Sequence, residues 1–369
     1  MSAGYAEIES KVKEMIDRAY YMDEGDERIG VLEEAVRLAD TTNDVKLQYE
    51  ARDSFIEASY FGGVPEKALV AYVWCLAQYD RAPEQFWEWK ILWRYKWMIN
   101  VICDFPQISK EQIYEMLDDM ERRFRETGRG LRAVYKYRYR TERFFGNREE
   151  ALKFYELAEQ ARRDDLTDCA ACETDDKVSY RLYLGQDELA LRIAEPLLDG
   201  RDKCRSVPQR TYTRLLVPLL RMGERERAWQ YYMRAYQMIS SDRSMLEYLS
   251  GQLIFLSLYG DLKGAARLLE NHFRWTQENT NPYDRFLFYR AAWLFLETAE
   301  EAGRDALPLQ MARTFPLYDA GGSYRTAELR GWFETRAREQ AAKFDARNGT
   351  DYFTDKLLDM AAIKELETW

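Results

Sequence analysis

The chain has 369 residues, of which 46% are hydrophobic and 32% charged, with 9 prolines; this is typical of a folded, helix-rich protein and excludes a disordered one. Its net charge of −10 disfavours nonspecific binding to nucleic acid or to anionic membranes. No apolar run reaches the roughly 18 residues of a membrane span, the start MSAGYAEIESKVKEM lacks a secretory-signal pattern, and five cysteines suit a reducing compartment. We therefore expect a cytoplasmic protein.

A short pattern recurs along the chain: a glycine, then five residues later an alanine, four residues later a bulky residue, and three residues later a small one. After a degenerate first unit, GDERIGVLEEAVRL, the slots are filled by Ala68, Tyr72 and Cys75; Ala151, Tyr155 and Ala158; Ala190, Ala194 and Leu197; Ala228, Tyr232 and Ala235; and Ala265, Leu269 and His272. The gap between Ala68 and Ala151 leaves room for one more unit, with slots Ile113, Leu117 and Met120. Ser109 and Gln112 form a capping box at the start of its second helix.

The spacing predicts stacked helical hairpins, because alanine lets two helices approach closely and glycine ends the preceding helix. From Ala151 onward the alanines recur after 39, 38 and 37 residues (151, 190, 228, 265). A single hairpin cannot bury its apolar face, so stacked neighbours must form one continuous core.

The pattern resembles the tetratricopeptide repeat (TPR) family over roughly residues 20–300. The units are longer than the usual ~34 residues and mostly lack the closing proline, as in the sensor solenoids of bacterial TPR regulators. The resemblance implies an all-α, TPR-like α-solenoid of seven or eight hairpins, with an array over residues 1–303 and an irregular loop and capping helices over 304–369. It also implies a non-catalytic scaffold or sensor that binds a protein or peptide in its concave groove.

The segment QFWEWKILWRYKWMIN, residues 85–100, predicts a helix over 84–103 that is apolar on nearly every side. We expect most of its aromatic side chains, including Trp89 and Trp93, to lie between helices. A solenoid does not explain one sector of this helix, and we assign that sector to partner binding. It consists of Trp87, Lys90, Arg94 and Trp97.

The next first helix, GLRAVYKYRYRTERFFG, extends this chemistry with Lys136, Tyr139, Arg140 and Arg143 on neighbouring positions. Between residues 121 and 148, ten basic residues face three acidic ones, a local charge of +7. Three explanations stay open: solvated faces or pairing with the acidic segment 164–176, an acidic protein or peptide in the groove, and nucleic acid stacked on the aromatic rings. We favour an acidic partner; a nucleic-acid-binding repeat protein is the alternative.

Cys169, Cys172 and Cys204 are expected to be neighbours if the helices predicted at 174–184 and 187–199 are antiparallel. They could be small packing residues, a redox pair, or a zinc site that lacks a fourth ligand; the sequence assigns no metal and no cofactor. The one histidine, His272, has no nucleophile motif beside it, and no P-loop, GxGxxG or HExxH motif occurs. We therefore expect no enzyme activity.

Helical patterns continue at 284–302, 324–346 and 351–366, and the proline- and glycine-containing segment 303–325 interrupts them. Leu329, Trp332 and Phe333 are expected to dock on the last hairpin as a cap. Trp369 is either a docking residue or disordered.

Overall fold

A computed structural model describes residues 3–357, with side chains from residue 4. This part of the chain divides into two compact units. Unit 1 runs through Thr167 and includes Asp242–Ser244, and unit 2 holds Asp168–Ser241 and the residues from Met245 onward. The domain boundary at residue 303 stays a prediction. Trp369 lies outside the described residues, so its docking also stays a prediction.

Unit 1 is built from eight α-helices among its described residues. They are α1 Ala3–Tyr20, α2 Asp26–Ala39, α3 Val45–Phe61, α4 Pro65–Arg81, α5 Glu88–Ile102, α6 Lys110–Glu126, α7 Leu131–Phe145 and α8 Arg148–Gln160. A 3-10 turn, Pro83–Gln85, precedes α5. Each helix packs on the next in sequence, and α1 also packs on α3 and α5 on α7.

Unit 2 holds eight further helices in its described part. They are α9 Ala170–Tyr183, α10 Asp187–Leu198, α11 Gln209–Arg221, α12 Arg225–Ile239, α13 Leu246–Tyr259, α14 Leu262–Glu278, α15 Pro282–Glu301 and α16 Thr326–Asn348. Here α9, α11, α13 and α15 pack successively on one another as well as on their sequence neighbours. Residues 352–357 are helical, and the rest of the helix predicted at 351–366 lies outside the described residues.

The all-α prediction is confirmed for the described chain. Its one sheet pairs two three-residue strands, β1 Ala306–Pro308 and β2 Ser323–Arg325, in antiparallel register. These strands lie in the segment that the sequence predicted to be irregular. None of the described helices is both long and apolar enough to cross a membrane.

The alanines in the first slot of the repeat are buried, as the spacing predicts. The first-slot alanines Ala68, Ala151, Ala190, Ala228 and Ala265 are fully buried. The glycines before these slots have left-handed φ angles of 71–91°, a conformation that residues with a Cβ atom rarely adopt; they are Gly63, Gly146, Gly185, Gly223 and Gly260. The capping box of Ser109 and Gln112 at α6 is also present. Helix capping therefore accounts for where these helices begin and end, and close packing accounts for the buried alanines.

The predicted docking of α16 is confirmed. Leu329 and Phe333 are buried, and Trp332 is partly buried. The Phe333 ring lies 5.5 Å from that of Phe273 on α14 and 6.1 Å from that of Tyr289 on α15, centroid to centroid. These aromatic contacts anchor α16 on the preceding helices.

Candidate functional site

Arg94 lies in an ion-pair cluster between α5 and α3, and not on an open groove. Its Nε atom donates to Asp53 Oδ1 at 3.0 Å and its Nη2 atom to Glu57 Oε2 at 2.7 Å. Lys90 Nζ lies 2.5 Å from Asp53 Oδ2. Only 6% of Arg94 is exposed, and Asp53 is buried. The expectation that Arg94 faces a ligand is wrong, because two carboxylates from α3 offset its charge inside the protein.

The remaining contacts of Arg94 fix Trp97. The guanidinium carbon lies 4.2 Å from the Trp97 ring centroid, and Trp97 stacks on Tyr60 of α3 at 4.9 Å. Burial acts to lower the pKa of Arg94, but Asp53 and Glu57 outweigh it and raise that pKa above its ordinary value. Arg94 is therefore a charged structural group, and Trp97 is covered by α3 and by this cation.

Trp87, which immediately precedes α5, forms a stack of rings with Trp89 and Trp93 of that helix. The ring centroids of Trp87 and Trp89 are 5.2 Å apart, and those of Trp89 and Trp93 are 4.9 Å apart. Lys96 Nζ lies 3.4 Å from the Trp93 centroid at the inner end of the stack. The prediction that Trp89 and Trp93 are core residues holds in part, since both pack against the core but keep exposed surface.

The outer and inner ends of this stack differ sharply in exposure. Trp87, immediately before α5, is 66% exposed, whereas Lys96 is 0% exposed. Lys96 Nζ donates to the carbonyl oxygen of Leu166 at 2.7 Å, and Trp89 Nε1 donates to that of Asp165 at 3.0 Å. The stack is therefore tied to the loop that follows α8, and it presents one indole ring to solvent.

The same loop is also held by the two residues that immediately precede α7. The backbone N–H of Gly130 donates to Asp164 Oδ2 at 2.6 Å. Arg129 bridges two segments, with Nη1 2.6 Å from Asp165 Oδ2 and Nη2 2.8 Å from Glu88 Oε2. Asp165 of the acidic segment 164–176 thus pairs with Arg129 of the basic region 121–148. This agrees with the explanation in which the basic residues pair with that acidic segment.

A recess of about 500 Å³ lies where these groups meet. It is lined by Trp87, Glu88, Trp89, Arg129 and Asp165. Sequence reasoning singled out Trp87 but missed Glu88, Arg129 and Asp165, because the recess joins segments up to about 80 residues apart in sequence (87 and 165). The arrangement offers apolar ring surface beside the Arg129 ion pairs.

The stripe on α7 is more covered than the sequence suggested. Tyr139 is buried, and Lys136, Arg140 and Arg143 are each partly buried. Arg140 Nη1 donates to Asn100 Oδ1 at 2.5 Å, and Arg143 Nη1 donates to the Tyr139 hydroxyl at 3.3 Å. The predicted residues of α5 and α7 therefore do not form one continuous exposed surface, since Arg94 and Tyr139 are buried.

In unit 2 the three expected cysteines do lie together. The Sγ atoms of Cys169, Cys172 and Cys204 are all within 4.8 Å of one another. The hydrogen bond between Cys172 and Cys204 raises the pKa of Cys172 and lowers that of Cys204. His272 is elsewhere in this unit, buried on α14, and burial lowers its pKa to about 4.

No protein-family model matches this chain, and no curated protein is significantly similar to it in sequence.

Proposed function

We propose that this chain is a non-catalytic, TPR-like helical-repeat protein that binds a protein or peptide partner in a reducing, cytoplasmic environment. Three features support the repeat architecture: buried first-slot alanines, left-handed glycines at the turns, and successive packing of alternate helices in unit 2. Helical repeats of this kind form extended surfaces whose exposed side chains vary independently of the core. This architecture suits a scaffold or a sensor.

The observation that carries the binding proposal is the exposure of Trp87. Among the described tryptophans, Trp87 is the only one that is exposed. It lies at the open end of a stack whose inner end is buried, and it lines the recess of about 500 Å³. A rigid aromatic ring that is held in place before binding loses little conformational entropy, and tryptophan is enriched among the residues that dominate interface energies. Trp87 is accordingly the proposed anchor for the partner.

The charges around this anchor indicate what the partner carries. Arg129 contributes one positive charge and Glu88 and Asp165 two negative ones, so the lining of the recess sums to −1. A partner therefore needs an apolar or aromatic side chain to contact Trp87 and a polar group to face the Arg129 ion pairs. Net negative charge is not required at this position.

The basic residues of α7 are the second proposed contact for the partner. Lys136, Arg140 and Arg143 are partly buried on this helix and keep some exposed surface. We propose that an acidic residue of a peptide anchored at Trp87 contacts the exposed part of these three cations. The nucleic-acid alternative depends on the same three cations.

A displayed library of random peptides, screened in parallel with single-stranded RNA and DNA, tests the proposal. We expect enrichment of peptides that share an apolar or aromatic residue, and loss of that enrichment with Trp87→Ala. The matched control is Val70→Ala, which removes exposed apolar surface from α4 of the same unit. Nucleic-acid binding that falls steeply with salt, together with no peptide enrichment, would contradict peptide binding and favour the alternative.

A further inference from the structure

Three thiols from two separate segments meet at one end of the helix pair α9 and α10. Cys169 is the residue immediately before α9, and Cys172 lies in the first turn of that helix. Cys204 belongs to the loop between α10 and α11. Because antiparallel helices place the start of one beside the end of the next, a Cys-x-x-Cys pair and a cysteine about thirty residues later converge. Their three Sγ atoms lie within 4.8 Å of one another.

The loop that carries Cys204 is held in a defined shape. The backbone N–H of Cys204 donates to the carbonyl oxygen of Val207 at 3.0 Å, and the Val207 N–H donates back at 3.4 Å. Val207 is buried with Ala171 and Leu197 in a small apolar cluster against which Cys172 and Cys204 pack. Cys172 and Cys204 thus rest on apolar side chains, while Cys169 is exposed.

We propose that Cys169, Cys172 and Cys204 bind a thiophilic d10 cation, Zn²⁺, through three thiolates, with a fourth coordination position open to solvent. Zinc–thiolate bonds of about 2.3 Å in a tetrahedron place the sulfur atoms about 3.8 Å apart. The observed separations, 3.2 Å for Cys172 and Cys204 and at most 4.8 Å for the others, bracket that value. The sulfur atoms therefore lie close to the spacing that the ion requires.

The fourth position is open because no imidazole or carboxylate of the described residues belongs to the same cluster. A closed structural zinc site has four protein ligands, whereas a site with three keeps one position for water or an external ligand. Three thiolates and one Zn²⁺ carry a net charge of −1, and the exposed Lys203 and Arg205 on either side of Cys204 favour that charge.

Metal titration of the reduced, full-length protein under anaerobic conditions tests this site. Zn²⁺ should bind in a one-to-one ratio against a chromogenic chelator, with release of thiol protons. Co²⁺ alone should produce thiolate-to-cobalt charge-transfer absorption, a signal that requires no variant. Cys172→Ser and Cys204→Ser should each weaken Zn²⁺ binding at least tenfold, whereas the control Cys75→Ala, in the core of unit 1, should bind like the wild type.

A second readout is independent of affinity. Bound Zn²⁺ should protect three thiols of the wild type from alkylation, and mass spectrometry identifies these as Cys169, Cys172 and Cys204. Absence of the cobalt charge-transfer band, or equal Zn²⁺ affinity for the wild type and Cys204→Ser, would overturn the proposal. A Cys172–Cys204 disulfide that persists in a buffer of reduced glutathione and excludes Zn²⁺ would also overturn it. Circular dichroism of each variant establishes that a loss of binding is not a loss of helix.

Discussion

The ammonium group of Lys96 donates a 2.7 Å hydrogen bond to the carbonyl oxygen of Leu166, and the lysine side chain is fully buried. The same group lies 3.4 Å from the centroid of the Trp93 ring, at the inner end of the tryptophan stack. A buried ammonium is stable only if its hydrogen bonds and electrostatic contacts replace hydration. Lys96 therefore connects the loop after α8 to the rings that position Trp87.

Lys96→Met should loosen this loop and the outer end of the stack. Methionine keeps the apolar volume but cannot donate to Leu166, and we expect a loss of about 1–3 kcal/mol in the free energy of unfolding. Amide hydrogen exchange over residues 161–167 should become faster than in the rest of unit 1. The control is Lys153→Met on the exposed face of α8. Unchanged exchange in 161–167 would contradict the role assigned to Lys96.

Arg94→Ala should destabilise unit 1, because Arg94 is buried in an ion-pair cluster. The substitution leaves Asp53 buried with one cation fewer and uncovers Trp97, and we expect a cost of roughly 3 kcal/mol. Lys90→Ala removes a more exposed cation from the same carboxylate and should cost less than about 1 kcal/mol. Chemical denaturation of both variants checks this, and equal effects would mean that the buried pair is not important for stability.

Ala228→Leu tests the packing of the repeat. Ala228 is fully buried on α12, which packs on α11, so three additional carbon atoms should overpack this contact and cost about 1–3 kcal/mol. The matched control is Gln230→Leu, which introduces the same leucine side chain at an exposed position of the same helix. Equal denaturation midpoints for the two variants would count against close helix approach at the alanine slot.

His272 should make the protein less stable in mild acid. Burial lowers the pKa of His272 from 6.5 to about 4, so between these values the unfolded chain binds a proton that the folded chain does not. The contribution of neutral, buried His272 to the free energy of unfolding is therefore fully present above pH 6.5, and it is lost as the pH falls toward 4. Relative to His272→Gln, the wild type should lose about 2 kcal/mol between neutral pH and about pH 5. Parallel pH profiles for the two proteins would contradict this.

The local features of this protein could be predicted from sequence, and the long-range electrostatic ones could not. The alanine slots, the glycine turns and the capping box of Ser109 depend on residues within one hairpin, where helix geometry dictates the spacing. The burial of Arg94 depends on Asp53, which lies 41 residues away on another helix. The burial of Lys96 likewise depends on its hydrogen bond to Leu166, which lies 70 residues away in the loop after α8.

The recess at Trp87 was missed for the same reason. The sequence analysis grouped Trp97 with Trp87 in one sector. The structure instead places Trp97 against Arg94 and Tyr60, and it stacks Trp87 with Trp89 and Trp93. The helices and loops that pack on α5 decide which of its two neighbouring stripes is covered. The sequence of α5 alone does not specify these packing partners. The two short strands, β1 and β2, were missed because three-residue strands carry little sequence pattern.

The affinity of a library-selected peptide for the wild type, Trp87→Ala and Val70→Ala, measured by isothermal titration calorimetry, tests the central claim most directly. We predict that Trp87→Ala weakens binding at least tenfold, or about 1.4 kcal/mol, with an unchanged denaturation midpoint, because Trp87 is exposed and contributes little to the core. Val70→Ala should bind as the wild type does. Wild-type affinity in Trp87→Ala, or an equal loss in both variants, would contradict the assignment of Trp87 and its recess as the partner-binding site.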